Sequence, residues 1–73
     1  MTMSYEQAVD VQRRHEQRLI ALPGVSAVGV KMRDGVPVLA VTVDQDVEPP
    51  AELTAGQIDG LDVVVERGRY RLQ

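Results

Sequence analysis

Residues 22–43 read LPGVSAVGVKMRDGVPVLAVTV, and the parsing of that stretch decides the fold. Leu22-Pro23-Gly24 is a stop signal, because proline biases the residue before it out of the helical region and glycine completes a turn. From Val25 to Arg33 the apolar residues alternate. Asp34-Gly35 then supplies the strongest short hairpin signal, a type I′ turn with both central residues at positive φ. With those two residues as the loop, Arg33 faces Val36 and the rest of the register follows. Met32–Pro37, Val30–Leu39 and Val28–Val41 share one face, which is bulky and apolar. Lys31–Val38, Gly29–Ala40 and Ala27–Thr42 share the other, which is small and mixed. A slip of one residue would mix the two faces, so the pattern pins the register. Pro37 has no amide hydrogen to give to a ladder, so its position must face away from a partner strand or lie at an edge.

Upstream of this stretch, Ser4-Tyr5-Glu6-Gln7 reads as a capping box. At about 100° per residue, Val11, Leu22, His15, Ala8, Leu19, Gln12 and Tyr5 fall on one sector of a helical wheel. Arg13, Arg14, Asp10, Gln17 and Glu6 lie elsewhere, which predicts one amphipathic helix ending near Leu22. Downstream, DQDVEPPAELTAGQIDG (44–60) is an acidic connection in which Pro49-Pro50 blocks regular pairing and residues 50–53 suit a single helical turn. LDVVVERG (61–68) reads as a third strand, with Leu61, Val63 and Val65 on one face and Asp62, Val64 and Glu66 on the other. RYRLQ (69–73) is expected to add a short fourth strand with Tyr70 and Leu72 on one side. The expectation is a single α+β domain over residues 1–73: one N-terminal amphipathic helix packed on one face of a three- to four-stranded, mostly antiparallel sheet. One helix covers one face, and the other face is left to solvent or to a second copy.

Composition narrows the function classes. The chain has 73 residues, no cysteine, and only Tyr5 and Tyr70 as aromatics, so its core is built from aliphatic side chains. A core in a chain this short leaves only about 3–5 kcal/mol of net stability, which makes an oligomer or a larger partner plausible. Disulfide staples and thiolate metal sites are excluded. No run approaches the ~18 apolar residues of a membrane span, and MTMSYEQAVD lacks the basic and apolar regions of a secretory signal, so the expectation is a cytoplasmic protein without a membrane partner. The net charge of −3 argues against a nucleic-acid partner. Charge is nonetheless unevenly spread. Asp44, Asp46, Glu48, Glu52, Asp59, Asp62 and Glu66 have no base among them, whereas Arg67, Arg69 and Arg71 follow in alternation.

The residues that carry chemistry are sparse. His15 is the sole histidine and lies within the apolar sector of the helix. It reads as a boundary residue with one nitrogen satisfied, and protonating a half-buried imidazole there would cost stability. Asp44, Asp46 and Glu48 alternate like the start of a calcium loop, but positions six and twelve are Pro49 and Ala55 where that loop needs glycine and glutamate. Ser4 is assigned to a cap and Ser26 to a strand start, and no histidine lies near Thr42 or Thr54 in sequence. Nucleophilic catalysis needs such a pair. The glycines are scattered through turns and strands rather than gathered in a phosphate loop. No catalytic residue, metal ligand or cofactor is expected.

Leu22-Pro23-Gly24-Val25, Val28-Gly29-Val30, Asp34-Gly35, Pro49-Pro50, Gly60 to Val65 and Gly68 to Arg71 together form a pattern. It resembles a small α/β domain found at the N-terminus of some bacterial trypsin-like peptidases and as a stand-alone protein. The resemblance spans roughly residues 8–71 and rests on structural motifs. It implies an accessory or interaction role, with a peptidase as one partner. It does not imply proteolysis, since the chain has no Gly-Asp-Ser-Gly segment and no His/Asp/Ser set.

The expected function is therefore a non-enzymatic interaction or accessory domain that binds itself or another protein through the open sheet face or an edge. The candidate surface comprises Ala27, Gly29, Val38, Ala40, Thr42 and Val64, with Arg67, Arg69 and Arg71 beside it. Two alternatives accompany it: a pro-domain-like chaperone or inhibitor of a separate serine peptidase, acting by edge-strand addition, and an ACT-like regulatory domain binding a small molecule near Leu22 to Val25.

Overall fold

The computed structural model describes residues 3–68. The strand expected over residues 69–73 lies outside the described residues, as do Arg69 and Arg71. Helix α1 runs Tyr5–Ile20. Its capping box is formed: Gln7 N–H donates to Ser4 Oγ at 3.1 Å, and Ser4 N–H donates to Gln7 Oε1 at 2.9 Å. The helix stops at the cap residue Ala21, just short of Pro23, with Ala21 N–H donating to the Gln17 carbonyl at 3.2 Å.

Strands β1 (Val25–Arg33) and β2 (Val36–Asp44) form the antiparallel hairpin. Its pairs are those the Asp34-Gly35 turn dictates: Arg33–Val36, Met32–Pro37, Lys31–Val38, Val30–Leu39, Gly29–Ala40, Val28–Val41 and Ala27–Thr42. Next, Val25 pairs with Val43, leaving Ser26 as an extra residue in a bulge. Ser26 Oγ donates to the Thr42 carbonyl at 3.3 Å, which anchors the bulge. Gly24, with φ of 83°, takes a left-handed turn that glycine adopts without strain. It also packs closely, since a Cβ there would stand 2.5 Å from Val47 Cγ1.

The chain then passes through α2 (Ala51–Thr54) and β3 (Gln57–Ile58) to β4 (Leu61–Gly68). The sheet order is β1-β2-β4-β3. Two of the three pairings are antiparallel, while β2 and β4 run parallel. The fourth described strand is thus Gln57–Ile58, inside the segment read as a connection. A second Asp-Gly turn, at Asp59-Gly60, joins it to β4 by pairing Ile58 with Leu61. Parallel pairing needs a long crossover, which residues 45–60 supply. The β2–β4 register begins at Leu39–Val63, so the missing amide hydrogen of Pro37 falls before that ladder starts.

Both helices lie on one side of the sheet. Ala8, Val11 and Leu19 of α1 and Leu53 of α2 are buried with Leu39, Val41 and Val43 of β2, Ile58 and Leu61. Val28, Val30, Val63 and Val65 pack against that cluster. The bulky face of the hairpin is therefore the core face, and burial of its aliphatic side chains, at roughly 25 cal/mol per Å², is the main source of stability. Tyr5, at the edge of the apolar sector, remains 53% exposed.

Candidate interaction surface

The register sets the opposite face of the sheet. It carries Ala27, Gly29, Lys31 and Arg33 from β1, then Val36, Val38, Ala40 and Thr42 from β2. From β4 come Asp62, Val64 and Glu66. The six apolar or small residues expected to share a surface, Ala27, Gly29, Val38, Ala40, Thr42 and Val64, do share one. They are not equally accessible. Val38 is 7% and Ala40 5% exposed, both on β2 in the interior of the sheet. Lys31 Nζ reaches across β2 to both Glu66 carboxylate oxygens at 2.8 Å, forming a strap over the middle strand. Gly29 is the opening in this surface: a Cβ built there meets nothing within 4 Å.

Arg67 lies elsewhere. Paired with Val43, it falls on the core face at the lower end of β4. Its Nη1 donates to the Val47 carbonyl at 2.6 Å and, more weakly, to the Asp44 and Gln45 carbonyls at 3.3 and 3.4 Å. Arg67 thus holds the turn that leaves β2, a use that its position in an alternating arginine tail gave no sign of.

The outer edge of β1 is blunted against strand addition. The Ser26 bulge breaks its regularity, Gln12 Nε2 donates to the Val28 carbonyl at 3.4 Å, and Lys31 and Arg33 charge the strand near the hairpin tip. Such devices keep edges from pairing with foreign strands. The turn at Leu22–Val25, where a small ligand would sit in the regulatory-domain reading, is filled by Val47 against Gly24.

A polar cluster lies on the helical side. His15 Nε2 stands 2.6 Å from Asp59 Oδ2, and Arg18 Nη2 stands 2.7 Å from His15 Nδ1. Arginine can only donate, so Nδ1 accepts and Nε2 carries the proton given to Asp59. Arg18 also forms an ion pair with Glu52 of α2. Both imidazole nitrogens are thereby engaged, one more than the sequence implied. The Asp59 carboxyl is held below its ordinary value of 3.8 chiefly by the hydrogen bond from His15. Desolvation opposes this, and the positive charges of Arg14 and Arg18 reinforce it. The cluster ties α1 to the β3–β4 turn and to α2.

Three of the described hydroxyls are engaged with the backbone. Ser4 Oγ serves the helix cap, Ser26 Oγ donates to the Thr42 carbonyl, and Thr54 Oγ1 donates to the Ala51 carbonyl at 3.1 Å. Among the described residues, no three histidines or acids converge as a metal site, and no helix is long and apolar enough to cross a membrane. An N-terminal helix on a mixed four-stranded sheet places the chain in the α+β class. No protein-family model, curated protein or solved structure matches it.

Proposed function

We propose that this chain is a non-enzymatic protein-interaction domain whose working surface is the open face of the sheet. One observation carries this reading: both helices cover the same face, and among the described residues the opposite face of β1, β2 and β4 has no layer of its own. Sheets in small domains are normally covered on at least one side and tolerate water on the other when that other side is polar. Here the uncovered side has a charged strap and a small, flat centre around Gly29, Ala40 and Val64. The hydroxyls of Ser4, Ser26 and Thr54, each bonded to the backbone, and the histidine committed to a carboxylate and a guanidinium support a binding role over a catalytic one. The blunted β1 edge favours the face over strand addition as the mode of contact.

Gly29→Tyr tests the surface directly. The side chain enters open space in the isolated chain, where tyrosine suits a strand better than glycine does, so the melting temperature is expected to hold or rise. Association, measured by sedimentation velocity or by retention of a partner on the immobilised chain, is expected to be lost. Association undiminished in a folded Gly29→Tyr protein would remove this face from consideration.

A further inference from the structure

Charge is sorted across the open face. Among the described residues β1 contributes Lys31 and Arg33 to it, and β4 contributes Asp62 and Glu66. The strand between them presents Val36, Val38, Ala40 and Thr42, with Asp44 at its far end. The face is therefore basic along one side and acidic along the other. We propose that its occupant is a second copy of this chain, packed face to face about a two-fold axis that runs along the strands. The proposal rests on the reading of the open face as the working surface, and it names the partner.

The charges select the axis. A two-fold lying between the sheets and parallel to the strands lays β1 of one protomer over β4 of the other. Lys31, level with Asp62 across the sheet, then meets the partner's Asp62 with Arg33 beside it, twice over by symmetry, while Glu66 lies level with Ala27. A two-fold lying across the strands would instead lay β1 on β1 and β4 on β4, setting like charges against each other. Such juxtaposition costs several kcal/mol across an interface. Closed two-fold dimers are also the commonest assembly, and they require a self-complementary patch of this kind.

The steric features agree with the electrostatic ones. Face-to-face sheets pack about 10 Å apart with their strands within about 30° of each other. Small residues at Ala27, Gly29, Ala40 and Thr42 permit that approach, and the empty space over Gly29 accepts a side chain from the facing sheet. Lys31 and Glu66 are 60% and 39% exposed in the isolated chain, so each retains accessible atoms beyond their mutual bond. In the dimer Lys31, Arg33 and the partner's Asp62 make the ionic contacts along the two sides of the face, while the strap to Glu66 still crosses β2. An ionic rim contributes register and choice of partner more than raw affinity.

Two charge variants and one steric variant test this. Lys31→Glu/Arg33→Glu makes the face acidic on both sides, and Asp62→Lys/Glu66→Lys makes it basic on both. The expected result in sedimentation equilibrium is a dimeric wild type, each variant alone on the order of a hundredfold weaker in self-association, and dimer restored when the two variants are mixed in equal amounts. A monomeric wild type overturns the second copy as occupant, while binding of some other protein lost in Gly29→Tyr would keep the open face as the working surface. Variants that dimerise as well as wild type overturn the charge-selected packing. If Gly29→Tyr dimerises undiminished as well, the reading of the open face falls with it. Should either charge variant lose its cooperative melt, Gly29→Tyr decides the second copy alone: loss of the wild-type dimer supports it, and retention overturns it.

Discussion

Asp34-Gly35 and Asp59-Gly60 turn the chain with nearly the same backbone, φ being 52° and 79° in the first and 50° and 81° in the second. Their surroundings differ. The first joins two strands of nine residues each, whose register runs unbroken from the turn to Ala27–Thr42 before the Ser26 bulge. Its aspartate is exposed, and no described side chain bonds to it. The second joins β4 to a strand of only two residues, which pairs at just Gln57–Asp62 and Ile58–Leu61. A ladder so short contributes little, and what secures this turn is the bond from His15, with Gln57 Nε2 donating to Asp62 Oδ1 at 2.8 Å alongside. The same dipeptide thus closes a self-sufficient hairpin in one place and serves as a tertiary latch in the other.

Valine in place of each glycine should separate the two turns most strongly. Holding a β-branched residue near φ of 80° costs about 1–2 kcal/mol at either site, and each kcal/mol is roughly 4–8 °C of melting temperature in a domain of this size. Gly60→Val is expected to lose more than Gly35→Val in thermal melts, because displacing the turn also withdraws Asp59 from His15. Equal losses would break the comparison.

Alanine at the aspartates gives a smaller difference. Asp59→Ala should lower the melting temperature more than Asp34→Ala. A double-mutant cycle with His15→Ala should show coupling to position 59 and none to position 34. The smallest effect is in acid. Because the folded Asp59 carboxyl is held below its ordinary value, the unfolded chain binds that proton first as pH falls. The stability Asp59 contributes is intact above 3.8 and disappears as pH drops through the lowered folded value. Asp59→Asn should therefore flatten the acid limb of stability against pH relative to wild type, with Asp34→Asn as the control. An unchanged limb in Asp59→Asn would show that the His15 bond does not hold the carboxyl down.

What the sequence conveyed and what it concealed divide along the same line as the two turns. The capping box at Ser4 and Gln7, the stop before Pro23 and the β1–β2 register from the turn to Ala27–Thr42 are local, set by residues within a few positions or by one two-residue loop, whereas the Ser26 bulge was not legible. Strand β4 was legible from its alternation, and the short turn of α2 from the proline before it. Its pairing partner was not legible, because alternation states which face a strand buries and not which neighbour it takes or in which direction. Strand β3 is too short to alternate, so Asp59-Gly60 passed as part of an acidic link although it repeats the signal seen at residues 34 and 35. His15 and Asp59 are 44 positions apart, and nothing in either local context announces the other. That Ala27, Gly29, Val38, Ala40, Thr42 and Val64 lie on one face was legible from the hairpin register and the alternation of β4; the strap across that face and the diversion of Arg67 to loop carbonyls were not.

The Lys31–Glu66 strap has a consequence for the order in which the fold is completed. It joins β1 to β4, strands that never touch as neighbours, across a sequence separation of 35. The hairpin closes through a two-residue loop, whereas β4 arrives only after the chain has closed the far longer crossover, an entropic cost met late. The strap forms when the last of the three strands is seated and cannot form before. It marks the finished sheet, since it joins β1 to β4 only when β2 lies between them.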